Sequence, residues 1–289
     1  MTGTHALRIF AAAVLAGCSS GGTGSGTGMT RVLLTDAPFP YDQVSRVDLY
    51  IERIGAGVTT DTGGNPPGTI VAPHKAFNLL ALSNGAAADL GSGPLLSGQY
   101  VQVWVTINAD SSSITLKDNT VLTNGHGIAF GPLSVFTLVF FTDPPLQITE
   151  QGAVVVIDLD VGRSFPPVNP ADASAGFYYN SYGMALNTAM TGALRGSVIG
   201  AGDGPIPDAS VSLLKVNPVY PSDTATWGVF GTTKTDATGA FKMPYVQPDA
   251  DLALVVEAPV SSVYGAVAQA VAVTRGAETQ VGTVALPRK

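Results

Sequence analysis

The chain has 289 residues, a formal net charge of −7, and is 45% hydrophobic but only 12% charged. So little charge excludes a disordered, charge-rich chain and a coiled coil, and an acidic balance without any basic run argues against a nucleic-acid partner. With 34 Gly, 20 Pro, and Asp outnumbering Glu 17 to 4, the composition favours short strands joined by turns over helices.

The N-terminus reads as an export signal. Arg8 is the only charge before Cys18, and Ile9 to Ala16 is uninterrupted apolar sequence. That run is far shorter than the about 20 residues a bilayer span needs, and it suits the core of a cleavable signal peptide. Leu15-Ala16-Gly17-Cys18 resembles the bacterial lipobox, in which the Cys is acylated and the signal is cut just before it. The resemblance implies residues 1–17 as signal peptide, lipid on Cys18, and a membrane as partner. Cys18 is the only cysteine, so no intramolecular disulfide forms. Residues 18–29 then make a Gly/Ser tether, SSGGTGSGTG over 19–28, with a reach of roughly 17 Å. Ser19 after the lipid Cys, rather than Asp, resembles lipoproteins sent on to an outer membrane, if the host is Gram-negative.

From about residue 30 to 190 the dominant signal is two-residue alternation, the mark of half-buried strands. Val47 to Glu52 separates its faces cleanly. Val101, Val103, Val105 and Ile107 share one face of the next strong strand, and Tyr100, Gln102, Trp104 and Thr106 the other. Val135 to Thr142 is denser in apolar residues and reads as a central strand. Val155, Ile157, Leu159 and Val161 point inward, opposite Asp158 and Asp160. Asp61–Gly68, Asp110–Ser113, Asp143-Pro144-Pro145 and Phe165–Pro170 read as turn clusters. Phe77 to Asn84 is the one candidate helix, stopped by Gly85. Strands so spaced predict an antiparallel sandwich. Leu33-Leu34-Thr35-Asp36-Ala37-Pro38, Val44 to Leu49, Phe77 to Gly85 and Leu96 to Tyr100 are similar to the domain-of-unknown-function 4382 family. That resemblance implies a secreted or lipid-anchored bacterial β-protein with no assigned chemistry.

Residues 191–289 form a second unit. Leu194 to Ile199 and Ala209 to Leu214 are strands around an Asp203-Gly204-Pro205-Ile206-Pro207 turn. In Thr235-Asp236-Ala237-Thr238-Gly239-Ala240-Phe241, Asp236 caps a type I turn, Gly239 takes the left-handed position, and Phe241 enters the core. Leu252–Glu257, Ala266–Val273 and Gln280–Leu286 supply further strands. The spacing of Gly196-x-Val198, Pro207-Asp208-Ala209-x-Val211 and Thr235-Asp236-x-x-Gly239-x-Phe241 is similar to the carboxypeptidase regulatory-like domain. That resemblance implies a seven-stranded prealbumin-type sandwich of the carbohydrate-binding-like kind, which in carboxypeptidases accompanies a separate catalytic domain. The fold class is therefore all-β, two consecutive antiparallel β-sandwich domains.

No catalytic residue, metal site or cofactor is expected. His74 and His126 lack zinc-ligand spacing, and there is no GxSxG elbow or phosphate-cradling loop. A triad of Ser, His and Asp from distant positions stays open. Asp158 and Asp160, with Asp36 or Asp42, suit either a Ca²⁺ site or a solvated face that blocks edge pairing. Tyr100, Trp104, Tyr178 and Tyr179 are the candidate ligand-binding residues. Such rings stack on sugars or anchor protein interfaces, or else simply cover a sheet face beneath a neighbouring domain. The functional expectation is a non-enzymatic, lipid-anchored envelope protein that binds or scaffolds, with a glycan or another envelope protein as partner. A purely structural spacer is the alternative.

Overall fold

Alternation becomes strand in both halves of the chain. The structure is a computed structural model describing residues 26–36, 42–58, 68–220, 222–223 and 226–289. The lipobox, Cys18 and most of the Asp61–Gly68 cluster lie outside those residues.

Two sheets face each other in the first half. One has the order β12 (Gly183–Asn187), β10 (Ala153–Leu159), β1 (Thr27–Asp36), β5 (Ala88–Leu96). The other is built on β2 (Val44–Gly57) and β6 (Gly98–Leu116). It also takes in β3 (Gly68–Val71), β4 (Lys75–Asn78), β7 (Val121–Asn124), β8 (Gly127–Ala129), β9 (Val135–Ile148) and β11 (Phe177–Tyr178). Their inner faces bury Leu34, Leu49, Ile51, Ile54, Ile107, Ile114 and Ile157. Each such side chain contributes about 1.5–3 kcal/mol of hydrophobic stabilisation. Not every pair is antiparallel: β1 runs parallel to β10, as does β7 to β8. β1 and β10 are far apart in sequence, so the connection is long enough for parallel pairing.

Several local expectations change. Asp110–Ser113 lies inside β6, a single strand whose first half pairs with β9 and second half with β7. Asp143-Pro144-Pro145 lies inside β9. β9 pairs with β6 alone in its sheet, so it is not central. Its apolar density is spread over two faces, and Phe141 is 75% exposed. Phe77–Asn84 gives β4 and one 3₁₀ turn, ended by Asn84 and Gly85, both at positive φ. β1 begins at Thr27, so residues 27–29, expected in the tether, belong to the strand. A Cβ at Gly28 would stand 1.9 Å from the Thr149 carbonyl oxygen, so the strand packs there only as glycine. After β10, Asp160 caps the single-turn α1 (Val161–Ser164), its Oδ1 accepting from the Arg163 N–H at 2.9 Å.

Among the described residues the second half has seven strands: β13 (Gly192–Gly200), β14 (Ser210–Lys215), β15 (Gly228–Lys234), β16 (Ala240–Val246), β17 (Asp249–Glu257), β18 (Ala266–Val273) and β19 (Glu278–Leu286). They form sheets β16-β13-β19 and β15-β14-β17-β18, with β13 and β19 parallel. Leu194, Val198, Val211, Leu213, Phe241, Leu254 and Leu286 fill the space between. The predicted turn forms as read: Asp236 Oδ1 accepts from the N–H of Thr238 at 2.8 Å and of Ala240 at 3.1 Å. Gly239 sits at φ +74°, and Phe241 is buried. Thr235 Oγ1 ties the turn down, donating to the Ile206 carbonyl at 2.7 Å and accepting from Ala209 N–H at 2.8 Å. The molecule is thus all-β, built from two sandwiches.

Candidate functional site

The four predicted aromatics do not share one surface. Tyr100 is buried and its hydroxyl donates to the Leu96 carbonyl at 2.9 Å. Parity along β6 puts it on the polar face, but the pairing with β9 shifts between Tyr100 and Gln102, and that bulge turns Tyr100 inward. Trp104 is half-buried on the outer face opposite Val139, and its indole N–H donates to Gln102 Oε1 at 2.9 Å. Tyr178 is exposed on β11, which joins the sheet through β8 and β7 at the far half of β6. Tyr179 packs into a ring cluster with Phe130, Phe136 and Phe165 at 4.9–5.4 Å. Burial there pushes its phenol well above the ordinary range. Trp104 has no ring contact with Tyr178 or Tyr179 among the described residues.

The histidines sit in loops. His74 Nδ1 meets Glu52 Oε2 at 2.7 Å, and His126 lies in the tight connection of β7 to β8. Neither joins a group of three metal-ligating side chains among the described residues.

The carboxylates behave differently from either expectation. β10 is an interior strand between β12 and β1, so Asp158 does not guard an edge. Its face is covered by the second sandwich. Asp158 and Asp160 line a cavity of about 120 Å³ whose far wall is Val229 to Thr232 of β15. Asp36 is brought near by β1, and its Oδ1 accepts from Val161 N–H at 2.9 Å. Arg163 reaches Asp160 at 4.0 Å and stacks over the Tyr182 ring. Among the described residues no donor meets the Asp158 carboxylate. Burial, and secondarily the charge of Asp160, push its carboxyl up to about 7. Burial raises Asp160 too, opposed by the N–H and charge of Arg163.

Beside this cleft a polar groove of about 510 Å³ opens on the outer face of the β16-β13-β19 sheet. Arg195 and Ser197 of β13, Lys242 of β16, and Gln280 and Thr283 of β19 line it, with Asn84 of the first sandwich at its rim. Glu278 holds both cations, Arg195 at 2.8 Å and Lys242 at 3.9 Å. A register shift between Arg195 and Gly196 hollows the face, with Gly282 at φ +79°. Asn84 Oδ1 accepts from Lys242 N–H at 2.9 Å, so both sandwiches build the groove. The sequence reading missed it. Its residues alternate as plain strand surface, and the loop that supplies Asn84 is 111 residues upstream of Arg195.

These features define an all-β protein of two joined sandwiches with a polar groove and a carboxylate-lined seam between them. A family model for a domain of unknown function (DUF4382) matches residues 27–174, just over half the chain, and the chain belongs to that family. No curated protein matches the chain. Among solved structures, the Bacillus anthracis TIE protein is 11% identical, with 91% of this chain and 34% of that one covered at a TM-score of 0.25. This chain therefore spans about a third of that protein. The minor pilin GBS52 of Streptococcus agalactiae is 13% identical, with 90% and 96% covered and a TM-score of 0.23. The shaft pilin SpaA of Lactobacillus rhamnosus GG is 12% identical, with 90% and 98% covered and a TM-score of 0.25. Scores this low carry no functional argument.

Proposed function

We propose that this chain is a non-enzymatic, lipid-anchored scaffold of the bacterial cell envelope that holds two sandwiches as one unit and presents their shared polar groove to a glycan or another envelope protein. The observation that carries this reading is the junction. The second sandwich is fixed to the first at three separate points: Lys242 N–H to Asn84 Oδ1 at 2.9 Å, Gln247 Nε2 to the Asp143 carbonyl at 2.8 Å, and Arg275 Nε to the Ala189 carbonyl at 2.9 Å. Such pinning suits a protein whose task is to hold a surface at a set place. The lipobox at Cys18 and the Gly/Ser segment after it supply the anchor, and an outer membrane if the host is Gram-negative. The spacing of Gly196, Asp236 and Phe241 supports a carboxypeptidase regulatory-like second sandwich.

The test is in the native cell. Radiolabelled palmitate is expected to enter the parent chain, and Cys18→Ser is expected to move the protein to the soluble fraction. Mass spectrometry showing an intact initiator methionine and a bare thiol would remove the anchor from the proposal. Retention of the mature protein on glycan arrays or in envelope pull-downs, lost on Arg195→Ala, separates presentation through the groove from a spacer role. Labelling of one serine by a fluorophosphonate probe would overturn the non-enzymatic reading.

A further inference from the structure

β18 ends the sheet order β15-β14-β17-β18, so one side of it faces no further strand among the described residues. An outer strand offers a row of backbone N–H and C=O groups to any passing chain, and folded proteins block such rows with charge, proline or a bulge. The other long outer strands here do so. β5 carries Asp89 and Pro94, β16 carries Lys242 and Pro244, and β19 carries Glu278 and the bulge at Gly282. β15 ends in Lys234 and lies against the first sandwich. β18 has none of these devices. It contains no charge, no proline and no glycine, and its pairing with β17 runs unbroken from Ala266 to Val271.

Its sequence is also symmetric. Ala266-Val267-Ala268-Gln269-Ala270-Val271-Ala272 reads the same in both directions about Gln269. Ala266, Ala268, Ala270 and Ala272 are exposed on the outer face, so no side chain overhangs the edge. Val267 and Val271 pack on the core of their own sandwich. Gln269 makes no side-chain hydrogen bond among the described residues, although its amide both donates and accepts. An antiparallel partner with the same sequence would set Val267 opposite Val271, Ala268 opposite Ala270, and Gln269 opposite itself. Two-fold interfaces require this self-match, each patch being its own complement.

We propose that β18 pairs antiparallel with β18 of a second copy of this chain, about a two-fold axis at Gln269, joining two four-stranded sheets into one of eight strands. The two Gln269 amides then satisfy each other across the axis. At one end Ala272 O already accepts from Thr279 Oγ1 at 3.2 Å, and the chain before Ala266 is tied to the C-terminus by the Tyr264–Arg288 bridge. The ladder therefore centres on Val267–Val271. A contact this small is below the roughly 1,200 Å² of a stable interface, so association is weak in free solution and strengthens when copies are held close.

The test uses the full chain carrying Cys18→Ser, which removes disulfide dimers through the lone cysteine. Sedimentation velocity is expected to show concentration-dependent dimers. Gln269→Lys or Gln269→Glu alone sets like charges face to face and weakens the dimer about fivefold. Mixing the two variants restores it. Gln269→Cys is expected to cross-link under mild oxidation, because opposed Cα atoms lie about 4.5–5.5 Å apart. Ala266→Cys is not, since its own copy sits six positions away, about 20 Å. Circular dichroism confirms folding of each variant. A monomer at every concentration, dimers indifferent to charge at 269, or equal cross-linking from 266 would overturn the proposal.

Discussion

Replacing Asp158 with Asn tests the seam between the sandwiches most directly. Asp158 stands on β10 and lines the small cavity together with Gly231 and Thr232 of β15. The nearby positive groups are engaged elsewhere, Arg163 with Asp160 and Lys242 with Glu278. The charge of Asp160 adds to the cost of ionising it. In the folded chain the carboxyl keeps its proton up to about pH 7, against 3.8 when free of the fold. Folding therefore takes up a proton between those values. The contribution of this group to stability declines as pH rises from about 4 to about 7, then stays at its full cost. A shift of that size corresponds to a ceiling of about 4 kcal/mol, and partial solvent access at the cavity reduces it to about 2 kcal/mol. Asp158→Asn is neutral at every pH. It should match the parent near pH 4 and exceed it by about 2 kcal/mol at pH 8, a rise of roughly 4–8 °C in Tm. Urea unfolding of both proteins at pH 4, 5, 6, 7 and 8 gives the comparison. Parallel curves across that range would mean that the carboxylate is well solvated, and would refute the reasoning.

Two further outcomes follow from packing. Tyr100→Phe should cost about 1 kcal/mol through the lost bond to Leu96, and Tyr100→Ala about 3–5 kcal/mol through a cavity. Both should leave any ligand retention of the surviving folded protein unchanged, and a selective loss of retention would return Tyr100 to a binding role. Thr235→Val removes the hydroxyl that bridges Ile206 and Ala209, leaving two buried backbone groups short of a partner. Denaturant unfolding should register a loss of about 3 kcal/mol, and a loss under 1 kcal/mol would mean that water replaces the hydroxyl.

Legibility followed the range of the forces. Where neighbours in sequence decide, the residues could be read directly. The Asp236 turn depends on atoms within four positions, and the inward set Val155, Ile157, Leu159 and Val161 depends on period two. Where a partner strand decides, reading failed. The bulge that inverts Tyr100 exists only in the pairing with β9, more than thirty residues downstream. Asp158 alternates like a solvated residue, and strands of the second sandwich, some seventy residues and more downstream, cover it. The groove was invisible for the same reason, since Asn84 and Lys242 meet through the docking of one sandwich on the other. Turn-like composition also misled inside β6 and β9. Asp110–Ser113 and Asp143–Pro145 do not end their strands, but they fall at the register shifts of β6 with β2 and of β9 with β6.

The place of β1 in its sheet has a mechanical consequence. Among the described residues β1 is the first strand, and it is flanked on both sides, by parallel β10 and antiparallel β5. Tension arriving along the preceding Gly/Ser sequence meets this strand lengthwise. Two hydrogen-bonded ladders then resist together in shear, instead of opening one bond at a time as a peeled outer strand does. A body hung on such a strand yields late and abruptly under load, which is a useful property for anything fastened by its first few residues.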